Sequence, residues 1–248
     1  MRIVAIGGGE IGRPGYSVET TEIDQEIIRL TNKTKPRLLF LPTASSDSES
    51  YITTVHEHFG KRLGCIVSSL CLVGSNFNYT EIEGKVLNTD IIYVGGGNTL
   101  KMMNIWKEKG IDQLLIKAGR ENIILSGLSA GAICWFKYGN SDSLKFENKE
   151  SEMIQVEGLS LINALFCPHY DVEQHRKQDL KQMVQKMNEV AIAADNCCAI
   201  EIIDDQYRII SSKETANAYK VFWKNGKYFQ EIISKSKDYK PLSALLTK

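Results

Sequence analysis

The chain has 248 residues, with 30 basic and 30 acidic side chains and a formal net charge of zero. That length suits a single α/β domain over residues 1–248 with a sizeable core, and a balanced charge without a basic stripe argues against a nucleic-acid partner. The six cysteines form no C-x-x-C pair and several lie in apolar runs, which points to free thiols in a reducing, cytoplasmic setting; no apolar run reaches membrane-spanning length, so no membrane partner is expected, and the opening residues read as a strand and not as a signal peptide.

Short β-rich apolar runs alternate with helical patterns, which predicts an α/β fold with a mostly parallel central sheet and helices on both faces. Residues 2–6 read as the first strand, closed by Gly7-Gly8-Gly9, and helical spacing follows over 20–30. A second strand, 37–41, stops at Pro42; then come a helix over 51–63 and a strand within 65–73. The strand 90–94 is closed by Gly95-Gly96-Gly97, helices over 99–109 and 111–118 divide at Gly110, and the apolar run 123–125 leads into Gly127-Leu128-Ser129-Ala130-Gly131 and a helix-like 132–136. The polar stretch 138–152 reads as a surface loop. Beyond it, 159–166 leads into Cys167-Pro168-His169-Tyr170, 176–187 is a charged helix, and 190–194, 198–203, 207–211 and 220–223 are short strands. Asn225-Gly226 is a hairpin turn with 227–232 as its return strand. No linker or internal repeat divides the chain.

Gly127-Leu128-Ser129-Ala130-Gly131 is the most informative stretch. A buried strand turning sharply into a helix through Gly-x-Ser-x-Gly is a nucleophile elbow, which holds a serine Oγ above the sheet edge. A bare Ser/Gly turn is the plain alternative. A serine hydroxyl needs a base, and there are four histidines. His56 and His58 are two apart in a helical pattern and read as surface or half-buried residues; His175 lies among polar neighbours and reads as solvated. His169 leaves a strand after Pro168, where α/β sheets place their sites, and is the candidate base.

A histidine base needs an orienting group. Glu201 stands inside the apolar run Ala199-Ile200-Glu201-Ile202-Ile203, where an unpaired charge costs several kcal/mol, so pairing with the histidine is one reading and an edge strand facing water is the other. Asp142, on the polar stretch after the elbow, is the competing carboxylate. For the oxyanion, the Ala130 amide is one donor and the turn Gly95-Gly96-Gly97-Asn98-Thr99 supplies a second; Asn98 is a candidate substrate contact. Gly7-Gly8-Gly9-Glu10-Ile11-Gly12 fits G-x-G-x-x-G, but the second strand ends in Leu41-Pro42-Thr43-Ala44 with no carboxylate, which argues against a dinucleotide site. This chemistry calls for no metal and no organic cofactor.

The ordered set Gly-Gly-Gly-Asn-Thr at 95–99, Gly-Leu-Ser-Ala-Gly at 127–131, Pro-His-Tyr at 168–170 and Ile-Glu at 200–201 resembles peptidase E, the α-aspartyl dipeptidase family of serine peptidases related to cyanophycinases. The resemblance implies a class I glutamine amidotransferase-like fold with serine in place of cysteine. It implies Ser129 as nucleophile, His169 as base and acid, Glu201 (or Asp142) as the orienting acid, and Gly97 and Ala130 as oxyanion donors. It also implies small peptides, including aspartyl dipeptides, as substrates, with Arg176 the nearest match to the arginine that would bind the aspartyl carboxylate. The shorter segment between His169 and Arg176 departs from the family pattern. A cyanophycinase-like or other amide or ester hydrolase, or a non-catalytic binding protein on this scaffold, are the rival expectations. A monomer or homodimer is expected.

Overall fold

A computed structural model describes residues 1–74, 78–172, 174–187 and 189–248. Its first half alternates as the hydrophobic pattern requires: β1 (Arg2–Ile6), α1 (Thr21–Arg29), β2 (Arg37–Leu41), α2 (Glu49–Val55), β3 (Ile66–Ser69), α3 (Tyr79–Leu87), β4 (Ile91–Val94), α4 (Thr99–Lys109), α5 (Ile111–Arg120) and β5 (Ile124–Leu128). These five strands pair in parallel in the order β1-β5-β4-β2-β3. Successive residues of a strand face opposite sides, so Ile3 and Ala5 join a core with Trp106 and Leu114 of α4 and α5, while Val4 and Ile6 join one with Ile23 and Ile27 of α1. Burial on both faces is why β1, β2 and β4 read as apolar runs, whereas the edge strand β3 is half exposed and carries two serines.

The second half holds a sheet that the sequence pattern did not separate from the first. After α6 (Ala130–Ile133) come β6 (Phe136–Ser141), β7 (Ile154–Glu157), β8 (Ile162–Cys167), α7 (Gln174–Met187) and β9 (Ala191–Ala194). The chain then returns to the first sheet as β10 (Cys198–Ile203) and β11 (Gln206–Ser211), goes back as β12 (Ala218–Lys224) and β13 (Lys227–Ile233), and closes with β14 (Lys240–Pro241) and α8 (Leu242–Leu246). The eight-stranded sheet runs β14-β11-β10-β1-β5-β4-β2-β3 and the six-stranded one β13-β12-β9-β8-β6-β7. β10 lies antiparallel to β1. Phe136, Phe166 and Ile192 of the second sheet share the core of Ile3 and Trp106, and its other face packs on Leu180 and Val184 of α7. The Asn225-Gly226 turn joins β12 and β13 with both residues at positive φ (51° and 74°), as a two-residue hairpin turn demands.

Three expectations are corrected. The stretch 138–152 is not wholly a surface loop, because β6 extends to Ser141 and lies inside the second sheet. Its polarity is tolerated because it is satisfied: Arg176 Nη1 donates to the Asn140 carbonyl and to Asn140 Oδ1, both at 3.1 Å, and Ser141 Oγ shares a hydrogen bond with Ser143 Oγ at 2.7 Å. The helix after the elbow is the single turn Ala130–Ile133, so only its local amides, and no long helix dipole, serve the serine. His58 is 3% exposed, drawn inward where α2 continues as a π-helix over His56–Arg62. There Arg62 Nη1 donates to His58 Nδ1 (3.3 Å), which leaves the ring hydrogen on Nε2 to donate to Asp24 Oδ2 (2.7 Å). Burial pushes the Asp24 carboxyl above its ordinary value despite the His58 and Thr20 hydrogen bonds.

Candidate active site

β5 ends at Leu128 and the chain reverses through Ser129, whose φ of 57° and ψ of −114° are far from any favoured region for a non-glycine residue. Such strain costs on the order of 1–3 kcal/mol and is held by its surroundings. The glycines on either side let it persist: a Cβ on Gly127 would press on the Val94 and Gly131 carbonyls, and one on Gly131 would collide with Val94 O. The Ser129 N–H donates to Ile6 O (3.0 Å), and the Ser129 carbonyl accepts from Ala132 and Ile133. The amides of Ala130 and Gly131, at the start of the turn, lie outside that ladder, as first-turn amides do.

His169 comes from the other sheet, two residues beyond β8, with φ of 54°. Its N–H donates to Gly7 O (3.0 Å), and Tyr170 N–H donates to Ala194 O (3.2 Å), which ties the turn to both sheets. Nε2 lies 2.8 Å from Ser129 Oγ and Nδ1 lies 2.7 Å from Asn196 Oδ1. Asn196 sits in the short crossover from β9 to β10, and its own N–H donates to Asp171 Oδ1 (2.8 Å). Gly8 is glycine because a Cβ there would strike the His169 ring and Asn196 Oδ1. The Gly7-Gly8-Gly9 turn therefore serves close approach to an imidazole. No helix begins at Gly12, since α1 starts only at Thr21.

Glu201 is not at the histidine. Because β10 runs antiparallel to β1, its start reaches the active edge, while Glu201 is paired with Val4 in the middle of the sheet. Glu201 Oε2 accepts from Arg208 Nε (3.0 Å) and Nη2 (2.9 Å), and Oε1 accepts from the Tyr239 hydroxyl. Arg208 stands directly across the β10–β11 ladder and also pairs with Glu26. The several kcal/mol expected of an unpaired buried charge are thus avoided by an ion pair on the sheet and not by the imidazole. We expect Glu201→Gln to lower unfolding free energy by about 1–3 kcal/mol and to leave kcat/KM within about twofold, read by denaturant melts beside peptide turnover. A tenfold loss of turnover in a variant of unchanged stability would contradict this.

Asp142 also lies away from His169 Nδ1: its Oδ2 is 3.8 Å from Arg176 Nη2. Arg176, expected to reach a substrate carboxylate, is 2% exposed and occupied with Asn140 and Asp142. It opens the inward stripe of α7 that continues through Leu180 and Val184. Asn98 is a helix cap: its Oδ1 accepts from Lys101 N–H (2.9 Å) and its Nδ2 donates to Ser143 O (3.0 Å).

Ser129 and His169 line a cleft of about 470 Å³ with Gly96, Gly97, Leu128, Tyr51 and Arg13, and none of Asn98, Asp142, Arg176 and Glu201 lines it. Gly96 N–H donates to the Tyr51 hydroxyl (3.2 Å), whereas Gly97 N–H has no hydrogen bond among the described residues. Gly97 has φ of 141°, and a Cβ on it would collide with Ala44 O. Burial pushes the Tyr51 phenol up to about 12, so it stays a neutral hydroxyl that can accept from Gly96 and still donate into the cleft. Tyr51 and Asn196 carry no motif. The signal for Asn196 was positional: a polar residue just before a strand that enters the sheet in reverse.

Residues 3–210 match the sequence profile of peptidase family S51. The chain is 37% identical over 224 residues to an uncharacterized peptidase, YgaJ, of Bacillus subtilis (strain 168), covering 89% of this chain and 91% of that one. It is 28% identical over 153 residues to an uncharacterized peptidase, Lmo0363, of Listeria monocytogenes serovar 1/2a, covering 60% and 70% of the two chains. Among solved structures, a peptidase from an acI-B1 Actinobacterium superposes with a TM-score of 0.69 at 18% identity, over 97% of this chain and 96% of that one. A putative peptidase E protein from Listeria monocytogenes EGD-e gives 0.64 at 19% identity, over 85% and 98%. At those identities the likeness is one of fold. Among the described residues, no helix is long and apolar enough to cross a membrane.

Proposed function

The chain belongs to peptidase family S51, and from that premise we propose that it hydrolyses small peptides through an acyl-enzyme on Ser129. The observation that carries this reading is the 2.8 Å contact between Ser129 Oγ and His169 Nε2. Asn196 Oδ1 can only accept from Nδ1, so the ring hydrogen sits there and the lone pair of Nε2 faces the serine. Oγ attacks the peptide carbonyl as Nε2 takes its proton, and the oxyanion turns toward the amides of Gly97 and Ala130. The imidazolium then protonates the departing amine, and the C–N bond breaks. Water, activated by the same Nε2, hydrolyses the ester and restores the serine.

Asn196 holds the tautomer as a carboxylate would, but brings no charge to the imidazolium. Aspartyl dipeptides remain the substrate class implied by the resemblance, but with Arg176 outside the cleft any such preference has to come from another group. A fluorophosphonate probe followed by peptide mapping tests the reading: modification is expected at Ser129 and is expected to be strongly slowed in His169→Ala. A probe that leaves Ser129 untouched would overturn it.

A further inference from the structure

The loop following β1 builds a wall whose purpose the mechanism above does not use. Glu10 and Glu19 clamp its ends: Glu10 N–H donates to Glu19 Oε2 (3.1 Å), Glu19 N–H donates to Glu10 O (2.6 Å), and Lys213 pairs with Glu19 (2.5 Å). Between them Glu10 Oε1 accepts from the N–H groups of Gly12 (3.0 Å) and Arg13 (2.8 Å), and Glu10 Oε2 accepts from Arg13 Nε (2.7 Å) with Nη2 also at 2.7 Å. Burial alone would raise the Glu10 carboxyl, but these donors outweigh it and hold it below the ordinary carboxylate range. The Arg13 guanidinium lies over the Tyr16 ring, 5.0 Å from its centroid. One edge of the fork is therefore fixed by Glu10 and one face by Tyr16, while the side chain stays 65% exposed. An ion pair so exposed adds little stability. A guanidinium has five N–H donors; Glu10 takes Nε and Nη2, which leaves the Nη1 donors for another acceptor.

Arg13 stands between two clefts. One is that of Ser129, Gly96 and Gly97; the other, of about 390 Å³, holds Tyr16, Ser17, Glu19 and Asn196 but none of Ser129, Gly96 and Gly97. Gly9, Glu10, Arg13 and His169 are common to both. On the proposed mechanism the carbonyl oxygen turns toward Gly97 and Ala130 and the leaving nitrogen must face His169; because His169 lines both clefts, the second cleft lies open to the leaving residue. Tyr16, which carries the guanidinium, lines only that second cleft, and Arg13 is the sole lysine or arginine lining either one among the described residues.

We propose that Arg13 binds the free α-carboxylate of the residue on the leaving side of the scissile bond, so that the cleft prefers peptides that end one residue past the cut. This rests on the assignment of Ser129 and His169. A pre-positioned guanidinium loses little freedom on taking up a carboxylate and meets it with two parallel N–H···O bonds. In a Ser129→Ala background, calorimetry with the dipeptide Asp-Leu and its C-terminal carboxamide should show the free acid bound about tenfold more tightly. Arg13→Gln should abolish that ratio, Arg13→Lys should restore part of it, and affinity for the carboxamide should not change. In the otherwise wild-type enzyme the same ratio should appear in KM rather than kcat. A free-acid preference that survives Arg13→Gln overturns the proposal, as does an Arg13→Gln effect confined to Asp-Leu against Asn-Leu, which would put Arg13 on the acyl side. Fluorophosphonate modification of Ser129 in Arg13→Gln is the separate control: its retention beside a free-acid preference unchanged from wild type refutes the Arg13 assignment alone, whereas its absence in the wild-type protein refutes the nucleophile.

Discussion

Replacing Ser129 with alanine is expected to lower kcat by about 10⁶-fold, the scale on which a serine peptidase site loses its chemistry when the nucleophile is removed. The fold should not follow. Alanine fits the space of the serine, the backbone bonds from Ser129 N–H to Ile6 O and from Ala132 and Ile133 to the Ser129 carbonyl remain, and only the Oγ–His169 hydrogen bond is lost, worth about 1 kcal/mol. Peptide turnover measured by amine release, beside a thermal melt, separates the two effects. A Ser129→Ala protein retaining more than about a hundredth of the wild-type rate would mean that another group carries the attack.

Asn196 is the second test. Asn196→Ala removes the acceptor 2.7 Å from His169 Nδ1, which loosens the hold on the ring and on its tautomer. A positioned base is worth about 10²–10⁴-fold, and a loss of about 10²-fold in kcat is expected, with KM little changed. Asn196→Asp is the opposite change. A carboxylate beside the imidazole favours its protonated form and raises its pKa. Since the neutral base is the active form in the proposed mechanism, the acidic limb of the kcat/KM profile should move to higher pH. The plateau above it should rise, because the imidazolium formed during attack gains a counter-charge. The Asp171 carboxylate already at the Asn196 N–H opposes a second negative charge and limits that gain. A profile unmoved by both substitutions would remove Asn196 from the proton path.

Much of this site was legible in the chain. The elbow announced itself because steric demands around Ser129 leave only glycine at 127 and 131, and His169 because it follows an apolar run and a proline at a strand exit. β1, β2 and β4 were legible because strands buried on both faces are built almost wholly of apolar residues. Glu201 misled because a charge in an apolar run states only that a partner exists. The partner was in fact readable from hairpin arithmetic: with the turn at Asp204-Asp205, residue 201 falls opposite 208, and that residue is an arginine. Arg176 was named through the family resemblance, although it stands four and eight residues before Leu180 and Val184 on the buried stripe. β6 was hidden because Asn140 and Ser141 are polar yet internal, and their partners, Arg176, Thr99 and Ser143, are far away in sequence or on another element. Asn196 was hidden for a topological reason: only the reversal of β10 brings its preceding turn to the active edge.

The hydroxyl and the imidazole that meet at 2.8 Å ride on different sheets, one at the end of β5 and the other beyond β8. On the proposed mechanism neither sheet alone would be a complete catalyst, and the crossover carrying Asn196 is where the two are joined. Competence, on that mechanism, is a property of how the two layers seat on one another: a slip of about 1 Å along their shared apolar boundary, too small to alter either sheet, is expected to cost about 10²-fold in rate.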